Sequence, residues 1–189
     1  MKKIIFFSLL MLSQSILADW VLEKDQSVLN FITTKNASKT EVQSFDIMQG
    51  SIKQSLATLT VDLSSVDTGI DIRDERLREL FFNVAKFPQA TVSLKIDAAD
   101  IKAIKLGYSQ EMSLDAVINL HGVKQTVPVV VQVIKLKEGK LLVFSKQPLI
   151  VNLSKFNLLA GLNKLREIAK LQNINMAVPV TFSLLFMKK

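Results

Sequence analysis

The chain of 189 residues contains no cysteine and a single histidine, His121. Without cysteine there is no disulfide framework, so even in an oxidising compartment the fold must stand on its apolar core. The same count excludes zinc sites of the usual ligand types and a Cys–His nucleophile pair. The six glycines (50, 69, 107, 122, 139, 161) are scattered, which leaves neither a phosphate-cradling loop nor a G-x-S-x-G elbow to present a serine. A Ser–His–acid triad would have to use His121, for which the sequence names no matched partner. No catalytic residue, metal site or cofactor is therefore expected. A dense basic run with interleaved aromatics is also missing, so nucleic acid is not an expected partner despite a formal net charge of +7. Nor is there an internal repeat or a linker rich in Pro, Gly or Ser, and a single domain follows.

What is present begins at the N-terminus. Lys2 and Lys3 precede the apolar run from Ile4 to Leu12, and Ala18 offers a small residue for cleavage. The run is too short to span a bilayer, and the pattern reads as a signal peptide over residues 1–18, although Ile16 at the −3 position is not the usual small residue. The expectation is export to the periplasm with residues 19–189 as the working domain, and no cysteine after the run permits lipid attachment. Removing the two lysines leaves a mildly basic protein, a balance that favours anionic lipid surfaces or anionic ligands.

Past the leader the dominant pattern has period two. Leu59, Val61 and Leu63 alternate with polar residues, as do Val92, Leu94 and Ile96, and then Met112, Leu114, Ala116, Ile118 and Leu120. Each is a strand with one wet face. Val127, Val129, Val131 and Val133 form another, whose back carries Val130 and Ile134 and is expected to be covered as well. Ile174, Met176, Val178, Val180, Phe182, Leu184 and Phe186 predict one long C-terminal strand. Glu138-Gly139-Lys140 marks the clearest hairpin. Two segments break the pattern: Leu77, Leu80, Phe81 and Val84 fall at helical spacing behind a potential Asp71 cap, and Leu162, Leu165, Ile168 and Ala169 form a second helical stripe. An all-β, antiparallel barrel or sandwich with one or two short helices across its openings or its face is the expected fold class.

Three stretches carry a resemblance. Residues 20–31 run from Trp20 through Ser27 to Phe31; residues 66–88 hold Thr68, Arg73-Asp74, Leu77, Phe81-Phe82, Val84 and Phe87-Pro88; residues 120–127 read Leu120-His121-Gly122-Val123-Lys124-Gln125-Thr126-Val127. In that order they resemble the YceI-like family of exported lipid-binding proteins. The resemblance implies an extended antiparallel lipocalin-like β-barrel enclosing an apolar cavity for a long polyisoprenoid or similar amphiphile. The segment 156–170 departs from the usual family ending and resembles a subgroup whose ligand is unspecified.

In such a barrel the inward apolar positions meet the ligand. Phe45, Phe81, Phe82, Phe156 and Phe182 are the candidate wall, with Phe31, Leu77, Leu94, Leu114 and Ile118; Met48, Met112 and Met176 would adapt to a floppy chain. Arg73 either meets a polar head group at the mouth, a quinone carbonyl or a pyrophosphate, or holds Asp74 and fixes the loop. His121 is expected to serve a turn. A barrel of about eight strands can be hollow or plugged by side chains, and periodicity does not choose between the two. The expected function is non-catalytic binding of a polyprenyl quinone or polyprenyl phosphate. The alternatives are a fatty acid or fatty amide in the same barrel, or an interaction or stress-response module that docks a membrane cytochrome or a membrane surface. A homodimer through exposed strands stays open.

Overall fold

The computed structural model describes residues 20–189; the expected leader and its cleavage point after Ala18 lie outside the described residues. Period-two alternation builds the strands. They are β1 (Trp20–Leu22), β2 (Val28–Lys35), β3 (Lys39–Phe45), β4 (Met48–Lys53), β5 (Leu56–Asp62) and β6 (Val66–Asp67). After them come β7 (Gln89–Lys95), β8 (Ser109–Leu120), β9 (Val123–Lys135), β10 (Lys140–Ser145), β11 (Leu149–Asn152) and β12 (Ala177–Lys188). Four staves are bent in two: β1 runs on into β2, β3 into β4, β5 into β6, and β10 into β11, so the twelve segments act as eight staves. At the β5–β6 bend the Asp62 carboxylate accepts the Ser64 amide at 2.9 Å and turns the chain. Such bends re-aim a strand and let a sheet curl.

All pairings are antiparallel, and β12 closes the barrel. On one side it pairs with β10 (Val143↔Leu184) and β11 (Val151↔Val178). On the other it pairs with β2 (Phe31↔Val180) and β1 (Val21↔Met187). The longest hairpin, β8–β9, turns on His121 and Gly122, whose φ values of 53° and 77° are those of a two-residue turn that matches the strand twist.

Three short helices close the ends. α1 (Asp71–Arg76) widens into a π-type turn over Leu77–Phe82, and the wider turn lets consecutive Phe81 and Phe82 both bury, their rings 4.8 Å apart. α2 (Ala98–Ala103) is capped by Asp97, which accepts the Ala99 amide at 2.8 Å, and brings Ile101 and Ile104 onto a packed core with Met48, Ile52, Val133 and Leu141. α3 (Leu159–Ile168) joins α1 at the opposite end, where Leu158 and Leu162 bury against Phe81, Phe82, Leu120 and Phe156.

Several expectations are corrected. A third helix, α2, joins the expected two, because its single turn is too short to show a stripe. Asp71 does not cap α1: Ile70 holds the cap position, with no side-chain hydrogen bond, and Asp71 is the first helical residue. The back of β9 is half-buried rather than covered, since Val130 and Ile134 face outward with no layer over them. Of the expected stripe Leu162 and Leu165 face inward, whereas Ile168 is exposed and Ala169, exposed as well, is the C-cap just past the end of α3. The last strand begins at Ala177, because Asn175 folds its side chain onto the Ala177 amide at 3.0 Å and breaks the alternation that ran through Ile174 and Met176.

Gly161 sets how closely α3 can approach: a Cβ there would lie 2.6 Å from the Leu80 carbonyl oxygen and 2.9 Å from Phe81 Cα. Gly161→Ala gains about 1 kcal/mol of helix propensity but must push backbone away, so a net loss of about 1–2 kcal/mol is expected in urea denaturation. If Gly161→Ala is as stable as the parent, α3 is not docked in this way.

Candidate ligand-binding cavity

The barrel is widest inside at the α1–α3 end and narrows toward α2. The hollow is a cavity of about 340 Å³, within the range of small-molecule sites. A smaller one of about 80 Å³ lies beside it, and Leu59, Val92, Leu94 and Phe182 line both. The wall of the larger cavity is nearly all aliphatic or aromatic: Phe31, Phe45, Phe81 and Phe82 from one side, Ile118, Leu120 and Val129 from another, Leu158, Leu162 and Leu165 from α3. Phe31, Phe45 and Phe82 form a chain of tilted rings with centroids 5.1 and 5.9 Å apart.

Polarity rises toward the mouth along one pair of strands. The lining residues of β2 read Leu29, Phe31, Thr33, Lys35, and β3 places Gln43 across from Phe31 and Glu41 across from Thr33. α1 adds Arg73 and Arg76. The lining reaches exposed Ala169 and Asn175, which puts the opening between α1, the end of β2 and the segment 169–175. That segment is sewn to β2: Asn36 Oδ1 accepts the Gln172 amide at 2.9 Å, and the Asn175 amide donates to the Thr34 carbonyl at 2.9 Å.

One carboxylate organises the collar. Glu41 accepts a hydrogen bond from Lys35 Nζ and another from Arg73 Nη1 at 2.7 Å, with Lys39 Nζ at 3.5 Å. The Lys35 hydrogen bond, followed by the charges of Lys35, Arg73 and Lys39, outweighs burial and holds the Glu41 carboxyl below the usual glutamate range. Arg73 also donates through Nε to Thr68 Oγ1 at 2.7 Å and through Nη2 to the Thr68 carbonyl at 2.5 Å. Buried Asp74 accepts from the Thr68 amide at 3.0 Å and from its hydroxyl. Arg73 and Asp74 thus fix the loop before α1 through Thr68, not by pairing with each other as one expectation had it.

The structure brings most of the sequence-predicted residues together. Phe31, Phe45, Arg73, Leu77, Phe81, Phe82, Leu94, Ile118 and Phe182 line the larger cavity, and Leu114 lines the smaller. Four do not reach either. Met48 and Met112 are buried in the core cluster toward α2 and line neither cavity. Phe156 is 1% exposed in the cluster behind Leu158, walled off from the hollow. Met176 precedes β12 and is 49% exposed. Thr33, Lys35, Gln43, Arg76 and Leu165 were missed; the parity of Leu29 and Phe31 was the signal for Thr33 and Lys35, and only their polarity hid it.

His121 stands apart in the β8–β9 turn, its ring 4.2 Å from that of Phe87, with Nδ1 buried and unpartnered. Burial first, and the charge of Lys86 second, push its pKa down, which favours the neutral ring. Among the described residues no cluster of His, Asp or Glu side chains is arranged to hold a metal ion.

A family model described as the YceI-like domain matches residues 20–186. A polyisoprenoid binding domain from Saccharophagus degradans, implicated in plant cell wall breakdown, shares 32% identity at a TM-score of 0.88, over 90% of this chain and 98% of that one. BcnA of Burkholderia cenocepacia, at 19% identity and TM-score 0.66 over 87% and 98% of the two chains, shares the fold. So does the YCEI protein of Campylobacter jejuni, at 16% and 0.54 over 78% and 84%. No curated protein matches in sequence.

Because the Glu41 pKa is depressed on folding, its contribution to stability is present above the ordinary carboxylate value of 4.5 and is lost as pH falls through the lower folded-state value. Glu41→Gln is expected to flatten that part of the stability curve. Urea midpoints measured against pH check it, and parallel acid slopes for the two proteins would refute the assignment.

Proposed function

The chain belongs to the YceI-like domain family, and from that premise we propose that it is an exported, periplasmic protein that sequesters or carries a long-chain isoprenoid amphiphile without chemically changing it. The observation that carries the reading is the cavity itself, an apolar hollow with a polar collar at one end only. A tail leaving water for such a wall gains about 2.5 kcal/mol per 100 Å² of apolar surface buried, so affinity needs no reactive group. The polar head stays at the mouth near Arg73. A polyprenyl quinone and a polyprenyl phosphate both have this two-part chemistry. The relative from Saccharophagus degradans, described as a polyisoprenoid binding domain, supports an isoprenoid over a fatty acyl tail.

The energetic cost of that void supports the same reading. A sealed apolar hollow of this size would forfeit about 8 kcal/mol at ~24 cal/mol per Å³, comparable to the whole stability of a domain. The open mouth admits water and lowers that figure, but a wall of Leu, Val and Phe gives water few partners. A cavity of this kind is retained to be filled.

Native mass spectrometry with organic extraction, on mature protein purified from its own periplasm, is expected to yield a stoichiometric isoprenoid. A clean apo mass after incubation with quinones, polyprenyl phosphates and fatty acids would overturn the reading in favour of a protein-interaction module, and a bound fatty acid or amide would change the cargo class. Phe182 is expected to limit tail length, since it is the largest of the four side chains that line both cavities. Phe182→Ala, at a stability cost of up to about 3 kcal/mol, should shift the preferred tail to a longer one in competition between prenyl homologues; unchanged preference would remove Phe182 from that role.

A further inference from the structure

Charge is spread unevenly along the barrel, and the end opposite the wide cavity holds the excess. β4 ends at Lys53, β7 at Lys95 across from Leu56, and β12 at Lys188 across from Trp20. Lys102 lies on α2 and Lys105 just after it, and Lys135 Nζ reaches the Lys102 carbonyl at 3.4 Å. Lys137 and Lys140 follow in the β9–β10 turn, where the Lys188 amide donates to the Gly139 carbonyl. The acids among these lysines are Asp97, which caps α2, Asp100, and Glu138, which pairs with Lys140 at 2.9 Å. Glu111, the next acid along β8, is paired with Lys146. Over the remaining positions from Trp20 to Lys188, 13 basic residues are matched in number by 13 acidic ones.

The same end exposes apolar side chains. Lys105-Leu106-Gly107-Tyr108 is a tight turn: the Tyr108 amide donates to the Lys105 carbonyl at 3.0 Å, and Gly107 takes the φ of 79° that the second corner needs. The Gly107 amide donates to the Lys135 carbonyl at 2.8 Å, and the Lys135 amide to the Tyr108 carbonyl at 3.2 Å, which ties the turn to β9. Leu106 is 57% and Tyr108 67% exposed on this fixed loop, and Leu56 is exposed beside Lys95. Gly, Asn, Asp and Ser are the usual turn residues, so a leucine and the chain's single tyrosine projecting here call for a partner.

Composition decides which partner. Protein interfaces are enriched in Arg and depleted in Lys, yet all four arginines (73, 76, 78 and 166) lie on or beside α1 and α3, and the α2 end uses lysine alone. Lysines are flexible point charges that suit a fluid anionic surface, and Tyr and Leu suit the head-group layer between them. We propose that the α2 end is the surface by which the protein docks on an anionic phospholipid membrane, with Leu106 and Tyr108 inserted and the lysines on the lipid phosphates. Docking in this way points the mouth of the cavity away from the bilayer that holds the protein. Leu106, Tyr108 and these lysines line neither cavity, so the proposal stands or falls apart from the cargo.

Mature protein mixed with vesicles tests it, one set made of equal parts phosphatidylglycerol and phosphatidylcholine and the other of phosphatidylcholine alone. Binding is read by sedimentation and by energy transfer from Trp20, the single tryptophan, to a dansyl-labelled lipid. β12 spans roughly 40 Å from the α2 end, where Trp20 sits, toward the mouth, so transfer is strong only when the α2 end meets the lipid. Binding to the anionic vesicles alone, fading as salt is raised, is expected. Lys102→Gln with Lys105→Gln should weaken it about twentyfold, at roughly fivefold per lysine, and Leu106→Ser with Tyr108→Ser about tenfold. Lys155→Gln with Lys164→Gln removes the same charge from exposed positions at the other end and should leave affinity within about twofold of the parent. Equal loss from the two lysine pairs, or sedimentation without energy transfer, would overturn the assignment to the α2 end. Equal binding to both vesicles would refute the role of charge, and binding to neither would overturn the membrane and leave an acidic protein as the occupant.

Discussion

The fold depends on β12. It is the stave that meets two bent ones over their whole length, β10 and β11 along one edge and β1 and β2 along the other. Closure removes the exposed edges that an open antiparallel sheet would present. It also brings the N-terminal and C-terminal strands side by side, so that Phe31 sits beside Val180 and both face the hollow. Without a disulfide anywhere in the chain, this pairing and the core behind it are what hold the barrel shut.

Inside the closed barrel the two ends behave differently because they are capped differently. α2 presses Ile101 and Ile104 onto side chains from several staves, and those side chains leave only the narrow cavity of about 80 Å³ between them. At the other end α3 packs on the π-type turn that follows α1, through the close approach at Gly161, and together they span the opening like a lid frame. The frame keeps Phe81, Phe82 and Leu162 apart from the opposite wall, and the space between is the cavity. Depth and mouth are then distinguished by which residues β2 and β3 place inward: aromatic and aliphatic below, hydroxyl, amide and charge above.

Much of the site was legible because strand parity is a local property. Once Phe31, Leu94, Ile118 and Phe182 were assigned to the inward faces, closure alone made them neighbours. Phe81 and Phe82 were legible as a pair, although the reason both bury, the widened turn, was not. The methionines were misplaced for a different reason: Met48 and Met112 have the right parity but the wrong height along the barrel, and height is set by register between strands distant in sequence. Met176 had apparent parity with no strand beneath it, since an asparagine side chain ends the alternation. Polar members of inward faces, Thr33, Lys35 and Gln43, are invisible to a search for apolar alternation, yet they define the mouth.

By itself the sequence determined an antiparallel β domain, the inward face of most strands, the helical breaks at residues 71–84 and 161–170, and the absence of thiol chemistry, because each of these follows from residue type and short-range period. Tertiary structure alone decided that the wide cavity lies at one end and the narrow one at the other, that Phe182 lines both, and that Glu41, Lys35, Arg73 and Arg76 gather at one opening. Those outcomes hang on bends, register and the 2.6 Å clearance at Gly161, which relate residues far apart in the chain and leave no mark in its local pattern.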